Sequence, residues 1–361
     1  MKTLGVSVYT GMEQTTGENV AYLKTAARLG YKKLFTSLHI PEADYRNLAT
    51  ECRLVLREAK QQGFLVTADI SPQTWRLLNC KPRDLSDWGV DILRIDFGYS
   101  PAQIRQLLEE TEMRLEVNAS TMTEDNLKKL LSTGIEPTRL CAGHNYYPRP
   151  ETGLDFGLFA CRSRCFHRAG IPIAAFIPGQ KCRRGPLQAG LPTLESHRRQ
   201  PVEESVRQLW ASGLVDTILF GDPLVPAEDL TAVAILPRCF PEPLPIRIRV
   251  ADVTRAERSL IVLPCHTNRT DAAGLVIRSQ ESRLSAVEAI SPQAYIQPRR
   301  RGDITIDNSG YGRYAGELQI VLHDLPADAR VNVVGQVVET DRCLLDCIFP
   351  GRAFRFEEVA E

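Results

Sequence analysis

The sequence predicts an eight-stranded (β/α) barrel, in the α/β class, followed by a smaller β-rich domain. The 361 residues exceed the usual size of one domain. As far as Asp222, strand-like and helix-like segments alternate in the manner of βα units. Beyond Asp222, prolines crowd a linker and short β-branched runs follow. We therefore predict a TIM-barrel domain over residues 1–235 and a β domain over residues 245–361.

The barrel prediction depends on eight segments with the length and apolar content of buried strands. They cover residues 4–9, 33–38, 64–70, 91–97, 113–118, 138–143, 173–177 and 217–220. Helical patterns cover residues 18–28, 42–62 and 101–110, and the capping-box pattern Thr121-x-x-Glu124 begins another that stops at Gly134. A six-stranded open Rossmann sheet is the competing arrangement, and no Gly-rich fingerprint supports it. A closed barrel is therefore favoured.

The second domain is predicted from alternating, β-branched runs separated by turn residues such as Asn308-Ser309-Gly310. The runs cover residues 246–250, 275–278, 303–306, 318–322 and 331–338. This pattern indicates a small, largely antiparallel β domain.

Composition excludes several classes of partner. The chain has 44 basic and 44 acidic residues, so no overall field attracts nucleic acid or an anionic membrane. No apolar run approaches the ~20 residues that span a bilayer, and the start has no signal-peptide pattern. The ten cysteines form no CxxC pair, which favours a reducing compartment. We therefore expect a cytoplasmic protein.

Four acidic residues fall at the carboxyl ends of predicted strands, where barrel enzymes form their active sites. They are Asp69, Asp96, Glu116 and Asp222. Converging carboxylates suit glycoside hydrolysis, in which one group protonates the leaving oxygen and another assists at the sugar carbon. The alternative is that these acids form ion pairs with Arg94 or cap loops.

A long loop follows the seventh strand, over residues 179–199, and it is rich in glycine and arginine. Barrel enzymes frequently bind phosphate in the loops after strands seven and eight. Arginine matches phosphate oxygens with a planar fork, and glycine lets backbone N–H groups approach. A solvated basic loop is the alternative, but the length and position of the loop favour anion binding.

Metal catalysis is a further possibility, since His39 and His144 lie near the strand-end acids. No HxH, HExxH or carboxylate–histidine spacing appears in the sequence. We therefore expect no metal and no cofactor.

Several motifs in both domains resemble the MupG family. They are Gly5-Val6-Ser7-Val8-Tyr9, Leu34-Phe35-Thr36-Ser37-Leu38-His39, Tyr147-Pro148-Arg149-Pro150-Glu151-Thr152-Gly153-Leu154, Arg184-Gly185-Pro186-Leu187 and Gly302-Asp303-Ile304. The resemblance implies a barrel followed by a cyclophilin-like β domain. It also implies 6-phospho-N-acetylmuramidase activity, which is intracellular hydrolysis of N-acetylmuramic acid 6-phosphate–N-acetylglucosamine during cell-wall recycling.

With this substrate, the candidate residues take provisional roles. The catalytic pair is expected among Asp69, Asp96, Glu116 and Asp222, with Glu195 in reserve. Candidate contacts to the sugar are Ser37, Asn118, His144, Asn145 and Tyr147. Candidate contacts to phosphate are Arg149, Arg184, His197 and Arg198. Arg278 and Arg313 of the second domain are further candidates for the lactyl carboxylate or the phosphate.

Two other functions stay open. One is a different barrel enzyme acting on phosphosugars, such as an isomerase or an aldolase. A Schiff-base aldolase needs a lysine at a strand's carboxyl end, whereas Lys33 begins the second strand. The other is a non-catalytic carbohydrate-binding or scaffold protein. The expected partner is a phosphorylated amino-sugar disaccharide, with no nucleic acid and no membrane, and a homo-oligomer is compatible with the sequence. The stereochemical course, including assistance by the substrate's own acetamido group, stays open.

Overall fold

The computed structural model describes residues 2–40, 42–43, 48–95 and 99–359. Contacts between residues divide the chain into two units. The first is Met1–Leu209 with Gly213–Leu236, and the second is Trp210–Ser212 with Pro237–Glu361.

The first unit contains a closed barrel of eight parallel strands. They are β1 (Thr3–Ser7), β2 (Lys33–Ser37), β3 (Leu65–Ile70), β4 (Ile92–Ile95), β5 (Arg114–Asn118), β6 (Leu140–Gly143), β7 (Ile173–Ile177) and β8 (Thr217–Phe220). Each strand pairs with the next, and β1 pairs with β8 to close the sheet. The predicted (β/α)₈ barrel is therefore confirmed, and it brings all eight strand carboxyl ends to one mouth.

Helices lie between the strands. They are α1 (Thr16–Arg28), α2 (Leu48–Gln61), α3 (Thr74–Leu77), α4 (Pro82–Asp87), α5 (Pro101–Glu110), α6 (Glu124–Leu131), α7 (Phe156–Arg168), α8 (Val202–Ala211) and α9 (Ala227–Ala234). The predicted capping box at Thr121 is wrong. Helix α6 begins two residues later, where the Thr123 hydroxyl accepts the backbone N–H of Asn126 at 3.2 Å. The sixth strand begins later than predicted because Pro137–Arg139 form a 3₁₀ turn.

The barrel interior is apolar on one side. A buried cluster joins side chains from β1, β2, β7 and β8 and from the loops beside them: Tyr9, Phe35, Ile40, Ala174, Phe176, Leu191 and Leu219. The rings of Phe35 and Phe176 meet edge to face, with centroids 5.1 Å apart. Three buried charged side chains, Asp69, Arg94 and Glu116, lie on β3, β4 and β5.

The second unit is built on a mixed seven-stranded sheet. Its elements are β9 (Leu244–Val250), α10 (Arg255–Ile261), β10 (His266–Thr267), β11 (Val276–Arg278), α11 (Ser282–Ser285), β12 (Asp303–Asp307), β13 (Leu318–Val321), β14 (Val331–Val337) and β15 (Ala353–Glu358). The strand order is β10-β15-β9-β14-β12-β13-β11, and β15 runs parallel to β9 while the other pairs are antiparallel. The separate β-rich domain is confirmed, and its cyclophilin-like character stays a prediction.

Within the described ranges, no helix combines the length and the hydropathy that crossing a bilayer requires.

Candidate active site

A row of polar side chains crosses four neighbouring strands at the barrel mouth. Ser37 of β2 pairs in register with Asp69 of β3, Asp69 with Arg94 of β4, and Arg94 with Glu116 of β5. Because side chains alternate along a strand, residues in one register level share a face. All four are at least nine-tenths buried. The barrel therefore assembles two carboxylates around one guanidinium.

Arg94 is the centre of this row. Its Nη1 donates to Glu116 Oε1 at 2.8 Å and to the carbonyl oxygen of Gly143 at 2.9 Å. Its Nη2 donates to Asn145 Oδ1 at 2.6 Å, and its Nε lies 3.8 Å from Asp69 Oδ1. A buried charge is tolerated only when it is paired and hydrogen-bonded. These contacts hold the guanidinium in one orientation between the two acids.

The ion pair occupies the space above Gly143. A Cβ atom at this position would overlap both the Glu116 carboxylate and the Arg94 guanidinium. Glycine here is therefore required by packing, since the residue lies on β6 beside β5.

We expect Gly143→Ala to lower the free energy of unfolding by about 1–3 kcal/mol, because the added methyl group forces the buried ion pair apart. Urea denaturation of the purified protein measures the change. Gly17→Ala is the matched control, since Gly17 lies in α1 with open space around it and alanine favours a helix. A Gly143→Ala protein as stable as wild type would contradict the described packing.

Asp69 has contacts that suit proton transfer. Ser37 Oγ donates to Asp69 Oδ2 at 3.2 Å, and His39 Nε2 lies 3.7 Å from the same oxygen. The Asp69 side chain keeps 11% of its surface exposed and that of His39 keeps 18%. Asp69 is therefore at the boundary between the packed interior and the mouth, where a ligand can reach it.

Arg184 lies over two tyrosine rings in the loop that follows β7. Its guanidinium carbon is 4.6 Å from the ring centroid of Tyr9 and 5.0 Å from that of Tyr146. Nη1 donates to the Tyr146 hydroxyl at 3.0 Å. Burial raises the pKa of both phenols, so they are neutral near pH 7. Among the described residues, no carboxylate forms an ion pair with Arg184, whose charge is thus available to an anion.

Asp222 organises the loop that carries Arg184. Its Oδ2 accepts the backbone N–H groups of Gly179 at 2.8 Å and Leu191 at 3.1 Å, and its Oδ1 accepts that of Arg184 at 3.0 Å. The residue has no exposed surface. Burial raises the pKa of Asp222, and the three N–H groups oppose that effect. Both Asp222 oxygens bind the loop, which argues against the prediction that Asp222 is a catalytic acid.

We expect Asp222→Ala to lower the free energy of unfolding by about 3 kcal/mol or more, since three buried N–H groups lose their acceptor. Urea denaturation followed by tryptophan fluorescence measures the loss. Glu228→Ala is the control, because Glu228 forms an exposed ion pair with Lys181, worth below about 1 kcal/mol. Equal losses in the two variants would show that Asp222 does not hold the loop.

Glu195 and Arg198 hold a second part of the mouth. Arg198 Nε and Nη2 donate to the two Glu195 oxygens at 2.6 and 2.7 Å. Its remaining donors bind four backbone carbonyl oxygens, those of Ala189, Gly190, Tyr147 and Arg149. The bond from Arg198 lowers the pKa of Glu195 to about 2. The polar atoms of both residues are committed to each other and to the loops, which argues against the predicted roles of Glu195 as a reserve catalytic acid and of Arg198 as a phosphate contact.

Two predicted histidines lie outside the mouth. His144 has no exposed surface and is bonded between Ser120 Oγ at 3.2 Å and Ser163 Oγ at 2.9 Å. His197 is equally buried, with Nε2 2.8 Å from Gln208 Oε1. Burial lowers the pKa of His144 to about 3 and that of His197 to about 4. Both are neutral residues with no exposed surface, which argues against their predicted contacts to sugar and phosphate.

The remaining candidate residues differ in how far their side chains are exposed. Asn118 Oδ1 accepts the N–H of Ser120 at 2.9 Å and shapes the turn after β5. Tyr147 is partly exposed, and Arg149 is exposed. Asp96 lies outside the described residues, so its role stays a prediction.

In the second unit, both candidate arginines have partners of their own. Arg278 binds Glu317 through two hydrogen bonds, of 2.7 and 3.0 Å, and Arg313 Nη2 donates to the Tyr314 hydroxyl at 2.7 Å. In the part of the chain that the structure describes, no group of three or more His, Cys, Asp or Glu side chains is arranged to hold a metal ion.

Comparison with known families identifies the chain. It matches the family model described as 6-phospho-N-acetylmuramidase, N-terminal, over residues 4–235. It also matches 6-phospho-N-acetylmuramidase, C-terminal, over residues 244–357. The chain belongs to the MupG family. The predicted family and the enzyme class, a glycosidase, are confirmed.

Two solved structures are similar to this MupG family member over almost its whole length. One is an uncharacterized B. cereus protein, 30% identical, with a TM-score of 0.69 and coverage of 99% of this chain and 100% of its own. The other is a conserved protein of unknown function from Enterococcus faecalis, 31% identical, with a TM-score of 0.59 and coverage of 99% and 96%. Among functionally curated proteins, none matches the chain.

Two residues of the mouth of this MupG family member, Tyr9 and Tyr146, were not predicted as site residues. Tyr9 ends the first strand-like segment, so the strand-end rule that selected Asp69 would also have selected it. Tyr146 and Tyr147 are adjacent in a loop, and no periodicity there indicates which ring faces Arg184.

Proposed function

We propose that this glycosidase hydrolyses the bond between N-acetylmuramic acid 6-phosphate and N-acetylglucosamine. The observation that carries the proposal is the presence in one mouth of Arg184, which forms no ion pair with a carboxylate of the described residues, and of Asp69, a carboxylate that a ligand can reach. Tyr146 links the two, since its hydroxyl accepts from Arg184 and the Asp69 charge adds to the effect of burial in raising its pKa. A substrate that carries both an anion and a glycosidic bond matches this pair.

Asp69 is the proposed general acid. Its carboxyl group gives its proton to the glycosidic oxygen as the bond to the anomeric carbon breaks, and water supplies the replacement proton. Ser37 and His39 contact the same Asp69 oxygen and orient it. Glu116 is less suited, because its Oε1 accepts from Arg94 at 2.8 Å. Its proposed role is to hold Arg94 and to contribute negative charge near the developing oxocarbenium ion.

Assistance at the anomeric carbon is assigned to one of two groups. Asp96 stays the predicted partner carboxylate, and the substrate's own acetamido oxygen is the alternative. If water attacks the anomeric carbon directly, the first product has the inverted configuration. If Asp96 or the acetamido oxygen attacks first, the configuration is retained. NMR of the first product distinguishes these two courses.

Arg184 is the proposed phosphate anchor. Its planar fork matches two phosphate oxygens, and the Tyr9 and Tyr146 rings exclude water from one of its faces. Arg149 stays a second candidate because its side chain is exposed.

We place the reaction in the cytoplasm, in the recycling of cell-wall fragments. The cysteines support this proposal, because all ten are free thiols, as expected in a reducing compartment. A 6-phosphate on the substrate also fits an intracellular reaction, since a doubly charged sugar does not cross a bilayer unaided.

The test is incubation of the full-length protein with the 6-phosphorylated disaccharide, followed by mass analysis. We expect N-acetylmuramic acid 6-phosphate and N-acetylglucosamine, with one water added. The unphosphorylated disaccharide is the control, and we expect its kcat/KM to be lower by about 10²-fold. An isomer of unchanged mass, or no product, would contradict the proposal.

A further inference from the structure

Beside the mouth, a second depression lies between the loops that follow β1, β7 and β8. Its cavity volume is about 460 Å³, within the range of small-molecule sites. Gln14 comes from the first loop, Gln180 and Gln188 from the second, and Leu224 from the third. These loops all follow strand carboxyl ends, so the depression opens on the same end of the barrel as Asp69 and Arg184.

The backbone around this depression adopts unusual conformations. Cys182, Gln188 and Leu224 all line it and have φ angles of 54°, 49° and 48°. A left-handed φ is uncommon for residues other than glycine, and it costs about 1 kcal/mol or more. Glycine would avoid this cost but would remove the side chain. Backbone strain that keeps side chains around a cavity is typical of functional sites.

Half of the six amide and charged side chains that line the depression are neutral amides, from Gln14, Gln180 and Gln188. The Oε1 atom of Gln14 is buried and has no hydrogen-bond partner within the described residues. A buried acceptor without a donor is unfavourable and is normally satisfied by protein, water or ligand. Amides both donate and accept, which suits hydroxyl and acetamido groups.

The two cations that line the depression, Lys181 and Arg183, are engaged with other protein groups. Lys181 Nζ donates to Glu228 at 2.9 Å, so its charge is partly neutralised. The Arg183 guanidinium donates to three backbone carbonyl oxygens, those of Gly179, Ala189 and Arg198. The Glu13 carboxylate also lines the cavity and would repel phosphate. A neutral, hydroxyl-rich ligand fits these groups better than a second phosphate.

The depression borders the proposed phosphate anchor. Glu13 Oε1 approaches Gly185, the residue that follows Arg184, and would lie 3.3 Å from a Cβ atom there. A ligand in the depression is therefore next to a sugar held by Arg184.

We infer that this depression is the subsite for the leaving-group sugar, a neutral N-acetylated hexosamine, with Gln14 and Gln188 as its specificity-determining contacts. The inference rests on the proposed function, since it assumes that a disaccharide is cleaved in the adjacent mouth.

The test compares two substrates that share the 6-phosphorylated muramic acid. One is the natural disaccharide, and the other is its 4-nitrophenyl glycoside, which has an aryl group in place of the second sugar. The variants are Gln14→Met, which keeps the side-chain length, and Gln188→Gly, which removes the side chain at a left-handed φ. Gln61→Met is the matched control, because Gln61 ends α2 immediately before β3, at the opposite end of the barrel.

We expect both variants to raise KM for the disaccharide by about tenfold, the effect of losing one or two ligand hydrogen bonds. KM for the nitrophenyl glycoside should stay within about twofold, because that substrate makes no such bonds. Thermal stability should not fall, since Gln14→Met removes an unsatisfied acceptor and Gln188→Gly relieves the strain.

Each other outcome overturns the inference. A KM that is unchanged for the disaccharide, or raised equally for both substrates, shows that the depression does not bind the leaving group. Lower thermal stability with unchanged KM assigns the two glutamines to loop packing. If wild-type protein cleaves the nitrophenyl glycoside but not the disaccharide, the subsite assignment fails while glycosidase chemistry stands. If it cleaves neither, the proposed function itself fails.

Discussion

Asp69→Asn should lower kcat on the phosphorylated disaccharide by about 10²- to 10⁴-fold, the contribution of a general acid. The amide has nearly the same shape, and Ser37 and His39 remain beside it, so the fold should be kept. Steady-state release of N-acetylglucosamine measures turnover, and circular dichroism checks the fold.

The 4-nitrophenyl glycoside separates an acid from a merely structural residue. Nitrophenolate is a good leaving group that needs little protonation, so Asp69→Asn should affect this substrate far less than the disaccharide. An equal loss on both substrates would show that Asp69 does not protonate the leaving oxygen. Glu116→Gln provides a contrast, because it removes the charge of the closer of the two carboxylates that pair with the buried Arg94 and should reduce stability as well as turnover.

Arg184→Ala should lower kcat/KM for the phosphorylated disaccharide by about 10²-fold, because the substrate phosphate loses a charge-assisted, bidentate partner. The unphosphorylated disaccharide should be affected little, so the preference for the 6-phosphate should largely disappear. Arg184→Lys should recover only part of the preference, since lysine keeps the charge but lacks the planar fork. Both rates are measured at one ionic strength, because salt screens exposed charges.

Arg149→Ala is the matched control, because Arg149 is exposed and its Nη1 makes only a 3.4 Å hydrogen bond to Pro150. We expect it to retain most of the phosphate preference. If Arg149→Ala removes the preference and Arg184→Ala does not, the anchor has been assigned to the wrong arginine. If wild-type protein cleaves both disaccharides equally, there is no phosphate site.

The positions that the sequence predicted well are those governed by strand periodicity. Ser37, Asp69 and Glu116 follow from the period-two rule and from the convergence of strand ends in a barrel. The two missed strands have weak patterns: β10 has only two residues, and β15 has no β-branched residue.

Residues in irregular loops were predicted less well, because their environment depends on how the backbone folds. Asp222, Glu195 and Arg198 were selected for their charge, and that charge satisfies backbone groups of the loops. His144 directly follows β6, but its side chain packs against Ser163 of α7 instead of facing the mouth. Residue type alone does not distinguish a group that binds a ligand from one that binds its own loop.

The hydrogen bonds from three backbone N–H groups to Asp222 matter for redesign of the loop that carries Arg184. The position of Arg184 depends on a carboxylate that lies 38 residues later, after the next strand. Moving residues 179–191 alone into another barrel would transfer the arginine without the group that fixes it. If the graft also includes an aspartate after the eighth strand, the recipient barrel should gain a preference for anionic substrates. The proposed phosphate anchor thus depends on two separate pieces of chain, the loop after β7 and the aspartate after β8.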